Sequence, residues 1–373
     1  MEHHIHRAVV EGPNGRPMIV DNMPWPPLLP GMVIVKVSSV ALNPVDYKTG
    51  EAMPAAGAVI SMDFAGAIVD IASDCTTSLK CGDHVCGLTY GSNPHVRDNG
   101  AFAEYVRADP SFLLKIPSRW VVNNEMARAA TLGLPLVSSA MALWGPECLH
   151  LTASPDRPVT SKPNTNGAST AARLPVLVFG ASTASGTIAI QMLQLSGLDP
   201  IAACSPHNFG LVMSRGATAV FDRNQPADEI ATAIRQHTKG QLRHVLDCIG
   251  NAETAAVCYS AMSRTGGRYT SLNRVSDAVL NRRRAISASF FHAAKAFGEG
   301  IDLPGYIEKR ADEKKRELVV GKFRMYQNLL DDGRLQLHPT EISEEGGFEG
   351  IIAGLERLKT GAISGKKQIV RIP

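Results

Sequence analysis

The sequence predicts an α/β protein in which a doubly wound parallel sheet accompanies a β-rich, barrel-like domain. Three observations carry this. Beyond residue 175, apolar strands alternate with helices in the order βαβαβαβαβ. The first third instead holds short β-branched segments separated by Gly, Pro, Asn and Asp. Roughly the last 50 residues break the alternation with two helices and a strand, which suggests a return to the first domain. At 373 residues the chain is long for one core and suits two domains.

In the first third, "MVIVKVSSVALN" is a β-branched run bounded by Pro30-Gly31 and Asn43-Pro44. "FAGAIVDIAS", "GDHVCGLTY" and "AFAEYVRAD" follow at the spacing of a closed or partly closed barrel. Residues 145–175 are rich in Pro, Ser, Thr and Asn without a period, and predict a long, mobile surface loop. "PVLVFG" then reads as a strand buried on both faces. "TIAIQMLQLSG" places Ile188, Met192 and Leu195 on one helical face and stops at Gly197. "DPIAACS", "AVFD", "HVLDCIG" and "RYTSL" are the next strands, with helices in "NFGLVMSRGA", "ADEIATAIRQHTKG" and "AETAAVCYSAMSRTGG" between them. The tail supplies "KRELVVGKFRMYQNLLDDG" and "GGFEGIIAGLERLKTG" as helices and "KKQIVRIP" as a strand.

Composition narrows the function. A net charge of +3 gives no electrostatic reason to expect nucleic acid as a partner. No apolar run of membrane-spanning length is evident, and neither end carries a secretory, lipidation or retention signal, so a cytoplasmic enzyme is expected. The seven cysteines are odd in number and irregular in spacing, which reads as reduced thiols and supplies no structural zinc set.

The strongest local signal is "VLVFGASTASGTIAIQMLQLSG": strand, small-residue turn, helix. A dinucleotide pyrophosphate binds at such a turn because free N–H groups and the positive helix end point at it. Gly180 starts the turn, Ala181, Ser182, Thr183 and Ala184 continue it, and Ser185-Gly186 opens the helix. The spacing departs from G-x-G-x-x-G, and an ordinary βα turn is the competing reading. The second strand ends in Ser205, Pro206, His207 and Asn208, where a cofactor with a free ribose 2′-hydroxyl would meet Asp or Glu. No carboxylate stands there, and Arg215 and Arg223 lie downstream, which favours NADPH over NADH.

Together "ALNPVDYK", "MDFAGAIV", "GDHVCG", "GAFAEYV", "VLVFGASTASG", "RGATAVFD" and "HVLDCIG" resemble the medium-chain dehydrogenase/reductase superfamily in its quinone-reductase-like branch. More narrowly, "LNPVDYK", "QMLQLSG", "CSPHNF", "SRGA", "LDCI", "FGEG" and "GAISGKKQIVRI" resemble the trans-acting enoyl reductases of fungal polyketide pathways, the group that includes the lovastatin partner enoyl reductase. The resemblance implies a GroES-like domain from residues 1–130 and 320–373, a Rossmann domain from 131–319, and an active site in the cleft between them. It implies NADPH-dependent reduction of α,β-unsaturated polyketide thioesters on the acyl carrier domain of a polyketide synthase or synthase–peptide synthetase hybrid (PKS-NRPS). A stand-alone quinone or alkenal reductase and a non-catalytic scaffold subunit are the alternatives.

The same resemblance implies site residues. Lys48 would project beside the cofactor as the catalytic cation, holding the ribose, stabilising an enolate or relaying a proton; a solvated lysine after a turn is the competing reading. Pro44, Val45, Asp46, Ser139, Leu272, Ile363 and Ser364 would join the turn residues around the cofactor. Asp46 by itself reads as a residue that holds the turn together. Ser138, Ser139 and the "FGEG" residues Phe297, Gly298 and Glu299 would line the acyl pocket, although Ser139 reads equally as a buried helix serine bonded to backbone. Arg282, Arg283 and Arg284 form a basic run that could dock an acidic carrier domain but reads more simply as a solvated face. Where zinc-dependent relatives carry Cys and His ligands, this chain has Asn43 and Met62, followed by Asp63, so no zinc is expected.

Overall fold

The computed structural model describes residues 4–122, 125–159, 173–303, 306–308 and 311–373. The chain forms two compact units: Met1–Leu134 with Phe297–Asp312 and Val320–Pro373, and Pro135–Ala296 with Glu313–Val319. Within the span 131–319 read from the sequence, Phe297–Asp312 falls in the first unit, and Glu313–Val319 returns to the second. Phe297 packs with the first unit's aromatic residues, its ring 4.7 Å from Phe112 and 6.2 Å from Tyr90.

In the second unit six strands form one parallel sheet. In chain order they are Pro175–Phe179, Asp199–Cys204, Ala219–Asp222, His244–Asp247, Gly267–Ser271 and Ile286–Phe290. Their spatial order is third, second, first, fourth, fifth, sixth, so the direction of winding reverses beside the first strand. The first strand is buried along nearly its whole length because helices cover both faces of such a sheet. The sixth strand lies within "RRRAISASFF", whose arginines drew attention only to charge. Its approach is fixed by Arg283, which donates to the carbonyl oxygens of Tyr259 and, at 2.7 Å, Ser263. Arg283 is thus half-buried and structural, which corrects the reading of 282–284 as one solvated or docking run; Arg282 and Arg284 remain exposed.

The surface loop expected over 145–175 is also corrected for its first part. Leu149, Leu151 and Ala153 are buried, and the Trp144 indole N–H donates to Ala153 O at 2.8 Å. Apolar residues dispersed among prolines can pack without any period, which a periodicity reading misses. Residues 160–172 lie outside the described residues. Met126–Trp144 has the length and apolar composition of a membrane span, contrary to the sequence reading, and 83% of that window is buried inside the fold.

The first unit is built on a seven-stranded sheet. Val33–Ala41 is its hub, pairing with Asp63–Ile71 and Tyr105–Ala108 and, through its last residues, with the C-terminal strand Lys367–Arg371. The chain end thus returns to the first domain as a strand. Val35, Val37, Phe64, Val85 and Val106 form the core, with Phe348 and Ile351 from the helix Gly347–Lys359.

One buried carboxylate organises the open ends of the parallel strands. Asp247, at the end of the fourth strand, accepts from the Ile249 and Gly250 N–H groups at 3.0 and 2.9 Å, from Thr254 Oγ1 at 2.6 Å and from Tyr269 OH at 2.8 Å. Burial pushes its carboxyl above the usual range, and the four donors oppose that shift. Removing the acceptor strands buried hydroxyls, so Asp247→Ala is expected to destabilise the protein by about 3 kcal/mol, read by denaturant unfolding.

Candidate functional site

The glycine turn has the geometry a dinucleotide needs. Gly180 sits at φ 72°, in the left-handed region, and a Cβ there would come 2.8 Å from Ile249 Cγ1. The helix Ala184–Leu195 follows, 12 residues long, with Thr183 as N-cap. The Thr183 hydroxyl accepts the Gly186 N–H at 3.0 Å, while the other first-turn N–H groups lack intrahelical acceptors and face the turn. A Cβ on Gly186 would lie 2.7 Å from both Gly180 O and Ala181 O, so only glycine lets the helix sit this close. Ala181 is buried and the side chains of Ser182, Thr183, Ala184 and Ser185 are half-buried along the turn. These residues fit a pyrophosphate.

At the end of the second strand, Ser205 and Asn208 are buried and Pro206 and His207 exposed. The Asn208 amide nitrogen lies 3.1 Å from His207 Nε2. Arg223, just past the third strand, donates from Nε to Ser205 Oγ at 3.0 Å, so an exposed guanidinium is tethered where the second strand ends. Leu272 is half-buried past the fifth strand, with its N–H on Asp247 O at 3.0 Å. The turn, Ser205–Asn208, Arg223 and Leu272 all follow carboxyl ends of strands of one sheet.

In the first unit, Lys48 lies on a nine-residue helix, Pro44–Ala52, and not after a turn. Asn43 caps this helix. Its N–H donates to Asp46 Oδ2 at 2.7 Å in a capping box, and Pro44 occupies the first helical position, where a missing N–H costs nothing. Asp46 is buried in that role, Val45 is half-buried, and Lys48 is exposed. Behind the cap lies Asp63, fully buried. Asp63 Oδ2 accepts from Lys367 Nζ at 2.5 Å and from Asn43 Nδ2 at 3.0 Å, and Oδ1 accepts the Leu134 N–H at 2.5 Å.

This arrangement does not fit zinc. Asn43 offers an amide already engaged as a donor, and Met62 a thioether, in place of thiolate and imidazole. The nearby carboxylate is neutralised by the Lys367 ammonium, which would repel a divalent cation.

The remaining expected site residues belong to both units. Ser139 is 1% exposed, and its hydroxyl donates to Pro135 O at 2.9 Å, the back-bonded helix serine that the sequence also allowed. Ser138, beside it on the helix Gly133–Trp144, is 7% exposed. Gly298 (φ 80°) accepts the Asp312 N–H through its carbonyl at 2.9 Å, and Glu299 is exposed. Ile363 is half-buried and Ser364 exposed, just before the C-terminal strand.

Two family signatures match the chain: the alcohol dehydrogenase GroES-like domain over residues 29–118 and the zinc-binding dehydrogenase over 184–291. The trans-enoyl reductase TwmE of Talaromyces wortmannii is 43% identical over 95% of both chains. The chain belongs to the trans-enoyl reductases. A second such enzyme, FSL5 of Gibberella zeae, is 40% identical over 99% of this chain and 97% of its own. Among solved structures, the CurK enoyl reductase superposes with a TM-score of 0.71 at 15% identity, covering 99% of this chain and 100% of that one. The JamJ enoyl reductase in its apo form gives 0.70 at 17%, again covering 99% and 100%; at such identity these two establish the fold. This trans-enoyl reductase is thus an oxidoreductase of the medium-chain superfamily, with a GroES-like domain and a Rossmann-type domain. The free-standing quinone reductase and inert scaffold are not favoured.

Sequence reasoning missed Lys367 in this trans-enoyl reductase. The signal was present in "KKQIV": strand alternation buries one of two adjacent lysines, and Lys367 is buried while Lys366 is exposed.

Burial pushes the Asp46 carboxyl up to about 7, against the favourable Asn43 N–H bond. The folded state therefore holds this proton more tightly than the unfolded state does, and the associated stability is lost as pH rises from about 4 through 7. Asp46→Asn keeps an acceptor for the Asn43 N–H. It is expected to flatten that part of the stability profile, measured by unfolding midpoints across the range.

Proposed function

We propose that this enzyme uses NADPH to reduce α,β-unsaturated polyketide thioesters carried on the acyl carrier domain of a partner polyketide synthase or PKS-NRPS. The observation that carries the reading is the trans-enoyl reductase relationship along almost the whole chain, at 43% identity. The intact Gly180 turn supports it by retaining a dinucleotide cradle. Preference for NADPH rests on Arg223 and its Ser205 tether, with no carboxylate in Ser205–Asn208 to repel a 2′-phosphate. His207 and Asn208 add hydrogen-bonding groups there. The seven free cysteines accord with a cytoplasmic setting.

When bound, the nicotinamide supplies the hydride that adds to the β-carbon. The protein's part is to place the acyl chain, exclude water and offset the negative charge that develops on the thioester oxygen. Lys48 is the group assigned to that charge: its ammonium is exposed on a helix fixed at its N-terminus. Pro44, Val45, Leu272, Ile363, Ser364 and Ser139 are assigned to the cofactor. Ser138, Phe297, Gly298 and Glu299 are assigned to the acyl chain, with the Phe297 ring held against Phe112 and Tyr90.

The reading is tested by turnover of crotonyl and longer enoyl thioesters against quinones with NADPH. Thioester reduction is expected, and quinone reduction alone would refute it. Lys48→Ala is expected to lose about 100-fold in kcat with an unchanged melting profile; near-normal turnover would remove Lys48 from the mechanism. Arg223→Ala is expected to raise the NADPH KM about tenfold while leaving the NADH KM unchanged, measured by initial rates.

A further inference from the structure

We propose that Lys367 is a positioning residue for Lys48, acting through Asp63 and Asn43 on the helix that carries it. The inference rests on the role given to Lys48 above, and concerns residues more than three hundred positions apart in sequence.

The connection is continuous and buried. Lys367 Nζ meets Asp63 Oδ2 at 2.5 Å, with side-chain exposures of 5% and 0%. The same oxygen accepts Asn43 Nδ2 at 3.0 Å, and Nδ2 also donates to Ala41 O at 3.2 Å, which fixes the amide plane. The Asn43 N–H is held by Asp46 Oδ2, and Asn43 is the N-cap of Pro44–Ala52. Lys48 stands one turn beyond that cap. The helix has only nine residues, so its anchored first turn governs where Lys48 emerges. At its far end Gly50 packs on the Gly15 backbone and the exposed ion pair between Lys359 and Glu51 adds a weak tether, so the cap holds one of two fixed ends.

Stability alone does not account for a buried ion pair here. Replacing such a pair by apolar residues is often neutral or favourable, whereas removing one partner leaves an uncompensated charge. What the pair adds is direction. With Lys367 on Oδ2, the Asp63 carboxylate is held so that one oxygen serves Asn43 and the other the Leu134 N–H. Gly133 makes room for this: a Cβ there would lie 2.6 Å from Asp63 Oδ1. Without the ammonium, the carboxylate must take up a proton or turn toward other donors, and either change releases Asn43 from its present plane.

The test compares Lys367→Met, Lys367→Arg, Lys48→Ala and the double variant Lys48→Ala/Lys367→Met in the full chain. In Lys367→Met, amides of residues 44–52 are expected to exchange about tenfold faster without nucleotide, while amides of the parallel sheet keep their protection. The kcat should fall about tenfold at unchanged KM for the thioester. Lys367→Arg should recover most of the loss. The double variant should be no slower than Lys48→Ala alone, because both changes act on one group. Multiplied losses, or a lower kcat with unchanged exchange in 44–52, would overturn the inference. If Lys367→Met does not fold, Asp63→Asn/Lys367→Met removes both charges; the new amide oxygen can accept from the Leu134 N–H while its NH2 cannot accept from Asn43 Nδ2, so the same faster exchange in 44–52 is expected. Should Lys48→Ala turn over normally, the Lys48 role fails and so does the catalytic part of this inference, while the exchange data decide separately whether Lys367 anchors the helix.

Discussion

Burying a carboxylate costs several kilocalories per mole unless donors satisfy it or it takes up a proton. Asp63 meets that demand with an ammonium, an amide and a backbone N–H from three separate stretches of chain. The Asn43 amide fixes the cap of the Lys48 helix, the Lys367 ammonium fixes the C-terminal strand, and the Leu134 N–H fixes the start of the helix Gly133–Trp144. The hydrophobic core of the first unit supplies most of its cohesion, but apolar contacts are non-directional. This polar knot holds the N-cap of Pro44–Ala52, while Gly50 packs on Gly15 at the other end.

The knot also explains how a fold whose relatives include zinc-dependent enzymes does without the metal. The Lys367 ammonium neutralises Asp63, and Asn43 and Met62 stand where zinc-dependent relatives carry Cys and His. Nothing in enoyl reduction requires a Lewis acid at that place, since the thioester carbonyl already polarises the double bond. The second unit uses the same device without a cation. Asp247 gathers two hydroxyls and two N–H groups at the end of the fourth strand, and its neighbours Cys248 and Ile249 lie against Gly180. A buried carboxylate at a strand end thus shapes each of the two stretches assigned to chemistry and cofactor.

Much of the fold was legible because parallel strands flanked by helices leave long apolar runs and regular spacing, as in "PVLVFG" and "HVLDCIG". The glycine turn was legible for the same reason: small residues between such a strand and helix have few other uses. What the sequence hid depends on contacts distant along the chain. Arg283 reads as one charge among three until its carbonyl partners are seen. Lys48 reads as following a turn because Asn-Pro marks both turns and helix starts, and only the Asn43–Asp46 capping box separates the two. Ser139 carries no mark of its bond to Pro135 O. The Lys367–Asp63 pair spans 304 positions, beyond the reach of any local pattern.

The decisive measurement is the mass of the polyketide made when this chain is expressed together with a partner synthase whose own enoyl reductase domain is inactive. The account predicts a product heavier by two hydrogens, with one carbon–carbon double bond fewer than the synthase makes alone. An identical product with and without the chain, at equal expression of folded protein, would contradict it.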